Sequence, residues 1–292
     1  MEMSHFQEYG IRPFCDQLNL QFRDFFYGYN PGTWKSRLTH NRLVCILESD
    51  GESTFQDETE TVRLLPGTVV LIPAFHEITH HQNESMFHLS IHFGVEFYYG
   101  IDLLTRLPRL WHTTGTERTG MIRRMLTPPD RLRITATMQT LCWDSIVHAL
   151  DAARIPADAL LSGYSRYAPL FDHLLRHCHA GIDIGQMAEV MRMNKETFIK
   201  KFIYDTGLSP KHFFNRLLVT RATRLLSSTD MTIRETAFEL KFCNEFYFSR
   251  FFKQHLGISP RDYRKHYRIT PENRENLNRE TERIAPQKPT EN

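Results

Sequence analysis

Between residues 18 and 100 apolar and polar positions alternate along the chain, the pattern of half-buried strands. The runs Leu43–Leu47, Thr61–Leu65, Thr68–Pro73 and Phe87–Phe93 read as strands, set off by turn formers at Asn30-Pro31-Gly32, Ser49-Asp50-Gly51 and Pro66-Gly67. Many short strands at this spacing predict a sandwich or jelly-roll barrel. The period then changes. Pro128-Pro129-Asp130 opens a helix running to about residue 153, with Ile134, Met138, Leu141, Cys142 and Ile146 at helical spacing. That stripe predicts a pairing surface for a second copy, hence a homodimer, with packing against its own barrel as the competing use. Residues 154–165, with Pro156, Ser162 and Gly163, read as a linker, and the period from 166 to 267 is helical throughout.

The helical block contains a repeat. Ile184, Ala188, Met193, Asn194, Phe198, Phe202, Gly207 and Pro210 recur as Ile233, Ala237, Phe242, Asn244, Phe248, Phe252, Gly257 and Pro260. The offset is 49 through Met193/Phe242 and 50 from Asn194/Asn244 onward, so Cys243 is a single insertion placed where a turn absorbs it. Each copy predicts a helix–turn–helix. The alanine lets two helices cross closely, Met193 or Phe242 plugs the turn, and the asparagine caps the second helix. The phenylalanine pair at i, i+4 faces the core, glycine ends the helix in the left-handed conformation, and Ser-Pro opens the next one. Helices over 167–179 and 211–227 complete the block.

Composition bounds the class. An apolar fraction of 41% excludes global disorder, and no apolar run approaches the ~18–20 residues of a membrane helix. The five cysteines are scattered without a CxxC pair, and the N-terminus shows no signal-peptide pattern, so a reducing, cytoplasmic setting is expected. Net charge is +2 and by itself indicates no partner. Its distribution does: residues 1–165 hold 14 basic and 19 acidic side chains, residues 166–267 hold 17 and 10, and residues 268–292 hold five of each. A basic block beside an acidic one is the imbalance of a domain that meets a polyanion. The tail, 268–292, is polar and proline-punctuated and reads as disordered.

Arg216, Ala222, Leu225-Leu226, Ile233, Ala237, Phe242, Asn244, Tyr247-Phe248-Ser249-Arg250, Phe252-Lys253, Gly257, Ser259-Pro260 and Tyr263-Arg264 together resemble the AraC/XylS family of bacterial transcription regulators, over about residues 166–267. The resemblance implies a seven-helix domain whose two recognition helices enter successive major-groove segments on one face of double-stranded DNA. Partners would then be DNA, a small-molecule effector, a second copy and RNA polymerase. With the phenylalanine pairs inward, the first recognition helix presents Lys195, Glu196, Ile199 and Lys200, and the second presents Glu245, Phe246, Ser249 and Arg250. Arg250 is the strongest candidate base reader, since a guanidinium can bind guanine O6 and N7 together. The resemblance puts Lys200 at the equivalent place in the first unit. Asn194, Asn244 and Tyr247 combine capping with phosphate contact.

Leu65-Pro66-Gly67, Pro73 and His80-His81 resemble the second motif of cupin barrels, the sensor half of many such regulators. The expected fold is therefore multidomain: an all-β cupin-like jelly-roll barrel with appended helices (1–127), a dimerisation helix (128–153), the linker, and an all-α bipartite helix–turn–helix domain. Cupin enzymes carry a His-x-His cluster in their first motif, and Arg42 to Phe55 contains no histidine, so neither metal nor cofactor is expected. Glu48, His80, His88, Ser90 and His92 are the candidate lining of a polar ligand pocket. That the ligand is a sugar or sugar derivative is implied by the family. A metal-dependent cupin enzyme tethered to DNA and a ligand-independent architectural DNA-binding protein are the alternatives.

Overall fold

A computed structural model describes residues 18–97, 101–125, 130–155 and 166–267. The N-terminal half is an antiparallel two-sheet barrel. One sheet has the order β1 (Leu18–Tyr29), β8 (Phe87–Phe97), β3 (Asn41–Glu48), β6 (Thr68–Ile72), β10 (Trp111–Thr114), with the short β9 (Ile101–Asp102) paired to β8. The facing sheet runs β2 (Gly32–Arg37), β7 (Glu77–Gln82), β4 (Thr54–Gln56), β5 (Thr61–Arg63). The Pro66-Gly67 turn enters β6 with Gly67 at φ 87°, where a Cβ would stand 2.9 Å from the carbonyl oxygen of Gly115, so the position requires glycine.

Period-two alternation divides the strands between two cores. Val44 and Ile46 of β3 face the space between the sheets, with Phe55, Val62, Leu64 and Val70. Leu43, Cys45 and Leu47 of the same strand face the other way and meet helices. Those helices are α1 (Thr116–Met125) and α2 (Arg131–Ala152). Asp130 caps α2 as its sequence suggests, its Oδ1 accepting from the backbone N–H of Arg133 at 2.8 Å.

The apolar stripe of α2 corrects the expectation of a pairing surface. Met138, Leu141, Cys142 and Ile146 are 0–4% exposed within the single chain, packed in the core formed by the outer face of the barrel sheet. The sheet presents a complete second apolar face, and α2 covers it, so the stripe is already used. Leu132 and Val147, the exposed large apolar residues of α2, lie off that face. The N-terminal 17 residues, most of the expected linker (156–165) and the tail lie outside the described residues.

Among the described residues the C-terminal domain has seven helices: α3 (Ala168–His177), α4 (Ile184–Val190), α5 (Lys195–Thr206), α6 (Pro210–Ser228), α7 (Ile233–Glu239), α8 (Glu245–Leu256) and α9 (Pro260–Tyr267). The units α4–α5 and α7–α8 repeat in geometry as in sequence. In each, the first helix opens with a capping box, Asp183/Gln186 and Thr232/Glu235. In each, the turn has a left-handed residue, Arg192 or Lys241, and then a backbone bond from Met193 to Ala188 or from Phe242 to Ala237. Phe198, Phe202, Phe248 and Phe252 are fully buried. Gly207 and Gly257 end the second helices at φ 73° and 74°.

The two halves touch. The Arg216 guanidinium lies over the Phe75 ring at 4.9 Å, the hydroxyls of Thr39 and Thr223 are 3.4 Å apart, and Arg37 donates from Nη1 to the His255 carbonyl at 3.5 Å.

Candidate functional site

The second helices of the two units, α5 and α8, are each fixed at both ends before any side chain reaches outward. Oδ1 of Asn194 accepts from the Thr197 N–H, and Oδ1 of Asn244 from the Tyr247 N–H, both at 2.8 Å. Those two asparagines thus spend their acceptors on the helix starts. With the phenylalanines sunk in the core, the opposite faces are open: Lys195, Glu196 and Lys200 are exposed on α5, Phe246, Tyr247 and Arg250 on α8, and Ile199, Glu245 and Ser249 are half-buried. Phe246 at 77% and Tyr247 at 55% exposure are unusual for aromatic side chains of a folded domain. Neither Lys200 nor Arg250 has an ion pair or a side-chain hydrogen bond among the described residues. The barrel meets α8 near its far end, where Arg37 bonds the His255 carbonyl, while Phe246, Tyr247 and Arg250 of the earlier turns stand exposed. An exposed helix face with an open guanidinium and flanking aromatics can donate to base edges and press against thymine methyl groups.

The second site is a cavity of about 220 Å³ between the two sheets. His88, Ser90 and His92 project into it from β8, as the sequence suggests for one strand face, joined by Arg42 and Val44 of β3, Trp34 and Ser36 of β2, and Phe55 of β4. Tyr267, the last residue of α9, also lines it, so the helical domain forms part of the cavity wall. Glu48 is not there. A bulge between Ile46 and Glu48 shifts the β3–β8 register, and Glu48 stands exposed, accepting from the Tyr29 hydroxyl at 3.3 Å. His80 lies behind the wall, wholly buried, stacked on Trp34 at 4.7 Å between ring centroids.

The hydrogen bonds of His80 fix its state. Nη2 of Arg42 lies 3.0 Å from its Nε2, and the Ser36 hydroxyl 2.8 Å. Arginine can only donate, so Nε2 is the bare, accepting nitrogen. Burial, then the Arg42 charge, pushes the His80 pKa down to about 2. The same two causes lower His88 to about 4, and burial foremost holds His92 well below its ordinary value. His92 in turn stands 2.9 Å from His40, which burial brings to about 3. His40, His80, His88 and His92 are therefore neutral at pH 7, and Arg42 is the permanent charge among the described residues of the cavity wall.

That charge bears on the enzymatic alternative. Among the described residues no group of three or more His, Cys, Asp or Glu could hold a metal ion. A guanidinium bonded to His80 and close to His88 would repel a divalent cation from the nitrogens a cupin metal site would use. Sequence reasoning missed Arg42, Trp34 and Tyr267. Arg42 does carry a signal, since it lies two residues before Val44 and four before Ile46, on the inward face of an otherwise apolar strand. Tyr267 carries none, because only the packing of α9 brings it there.

The helix-turn-helix domain family matches residues 187–266. The MmsAB operon regulatory protein of Pseudomonas aeruginosa is 28% identical over 99 residues, 34% of this chain and 32% of that protein. The transcriptional activator RhaS of Escherichia fergusonii is 23% identical over 148 residues, 49% of this chain and 53% of its own. The matches thus span a third to a half of these relatives. Among solved structures, ToxT from Vibrio cholerae O395 superposes over 86% of this chain and 98% of its own at a TM-score of 0.56, with 10% identity, a likeness of fold across both domains. Among the described residues no helix is long and apolar enough to cross a membrane.

Proposed function

Starting from a C-terminal domain that belongs to the AraC/XylS helix–turn–helix family, we propose that the protein is a sequence-specific DNA-binding transcription regulator whose barrel senses a small molecule. The observation that carries this reading is the structural repeat. Two units with the same turn, cap and aromatic anchor each turn an open helix face outward, on the one part of the chain with excess positive charge. Single-motif regulators obtain two half-sites by dimerising, whereas this chain supplies two recognition helices itself. Its operator then consists of two segments on one DNA face about one helical turn, ~34 Å, apart. With the stripe of α2 buried, the reading needs no second copy to define a site, and RNA polymerase is the further partner a regulator of this kind would meet.

The sensing half rests on the cavity and on Tyr267. A ligand in the barrel touches a residue of the DNA-binding domain directly, which gives it a means of favouring one arrangement of the two domains. The family suggests a sugar or sugar derivative, and the polar part of the lining, Ser90, Gln82 and His88, could meet hydroxyl groups.

The test is selection of binding sites by the full chain from a random DNA pool, followed by footprinting. The expected result is two protected segments one helical turn apart with distinct sequences. Binding without sequence preference would instead assign the protein an architectural role.

A further inference from the structure

We propose that the barrel cavity takes a small organic carboxylate, held through its charge by Arg42. The inference deepens the sensor reading and rests on it. Arg42 is only 9% exposed, and a guanidinium removed from water is costly unless its charge is answered. Nothing in the cavity answers it. Among the described residues that line the space there is no aspartate or glutamate. Among the described residues Arg42 meets neutral groups: His80 through Nη2, the face of Phe55, whose ring centroid is 5.7 Å from Cζ, and nearby the Tyr267 phenol, which burial keeps protonated. The Nε of Arg42 is buried and has no hydrogen-bond partner among the described residues. Burial lowers its pKa only to about 10, so it stays charged at neutral pH.

Ser36 and Trp34 hold His80, and His80 holds one arm of the guanidinium, so the group is oriented by its neighbours without being neutralised. A guanidinium held in orientation and left charged is what binding an anion requires. A planar carboxylate matches the guanidinium fork, and a single positive charge matches a monoanion. The remainder of the lining describes the rest of the ligand. Phe26, Trp34, Phe55 and Val44 offer an apolar wall. Oε1 of Gln82, without a hydrogen-bond partner among the described residues, and the imidazole of His88 offer one or two polar contacts. A dry cavity of about 150 Å³ holds benzene, so 220 Å³ admits a ring-sized or short-chain body with its carboxylate. A neutral sugar would leave the guanidinium unanswered.

The test measures thermal stabilisation and calorimetric affinity of the full-length protein with three matched pairs: benzoate and benzamide, hexanoate and hexanamide, glucuronate and glucose. At least one carboxylate should raise the melting temperature and bind about 10- to 100-fold more tightly than its neutral counterpart, as a charge-assisted pair in place of a neutral contact implies. The wild-type comparison needs no variant to fold. Arg42→Met, which keeps the stem against Phe55, should abolish the difference within the pair while leaving the apolar wall. Equal binding of both members, or an Arg42→Met protein that keeps the carboxylate preference, overturns the assignment and leaves the sensor reading standing. If neither member of any pair binds, both the assignment and the sensor reading fall.

Discussion

Arg250→Ala should remove base discrimination without weakening the fold. Arg250 is exposed in the middle of α8 and makes no ion pair or side-chain hydrogen bond among the described residues, so its truncation should change stability by no more than ~0.5 kcal/mol. Two positions earlier, Phe248 is fully buried with ring neighbours Phe242 at 5.2 Å and Phe252 at 5.9 Å. Phe248→Ala should cost ~3–5 kcal/mol of stability, the range for a large aromatic deleted from a packed core. The two variants therefore separate reading from folding on one helix. A bidentate arginine–guanine contact contributes ~1–3 kcal/mol of discrimination, which is about 5- to 150-fold between right and wrong base. The assay is a titration of wild type and Arg250→Ala against every single-base variant of the selected site at one fixed salt concentration. The wild type should discriminate at one or two adjacent positions where the variant becomes flat, with the other positions unchanged. A uniform loss across all sites would make Arg250 a phosphate contact and refute the base-reading argument.

Gly257→Ala should destabilise by ~1–2 kcal/mol in chemical denaturation, because no atom lies within 4 Å of the added Cβ and the left-handed φ of 74° alone is strained; a neutral result refutes the cap argument. Leu141→Asp should unfold the chain or lower its melting temperature sharply, because Leu141 is 1% exposed within one chain; a folded variant that only changes oligomeric state would return the α2 stripe to an interface. Acid should destabilise the barrel. His80, His88 and His40 have folded pKa values of about 2, 4 and 3, all depressed below the unfolded 6.5. The unfolded chain therefore binds more protons below pH 6.5, and the stability these groups hold above that pH is lost as pH falls toward the folded values. Each contributes up to ~1.4 kcal/mol per pH unit in that window. Denaturation midpoints between pH 7 and 5 should show the fall, and His88→Asn should lessen its slope.

What the sequence made legible is what local rules determine. The repeat, its caps, its glycines and its buried phenylalanines are all encoded within a few residues, so the helical domain and its outward faces could be read position by position. The barrel strands were legible by their alternation, as was the shared face of His88, Ser90 and His92. Two errors have a common cause. Glu48 leaves the cavity because a bulge displaces the register, and the α2 stripe is buried because a sheet face nearly a hundred residues earlier in the chain needs a cover. Alternation identifies a face without identifying what covers it, and a bulge of one residue reverses inside and outside. Tyr267 is the extreme case. Its place in the barrel depends on where a whole domain sits, which no local pattern carries.

That placement has an energetic consequence for the proposed regulator. The direct contacts between the halves include one cation–π pair, one hydroxyl pair and one long hydrogen bond to the His255 carbonyl. Each contributes about 0.5–2 kcal/mol at most. Moving a two-state arrangement from 1:99 to 99:1 takes ~5.5 kcal/mol of differential binding. Arg42 belongs to the barrel and stays with the ligand in both arrangements, so the bias must come from the contact with Tyr267, made in one arrangement and lost in the other. A ligand held by the barrel alone binds both arrangements equally and shifts nothing, however tightly it binds. The regulatory signal in this chain therefore depends less on the affinity of the cavity than on whether α9 remains part of its wall.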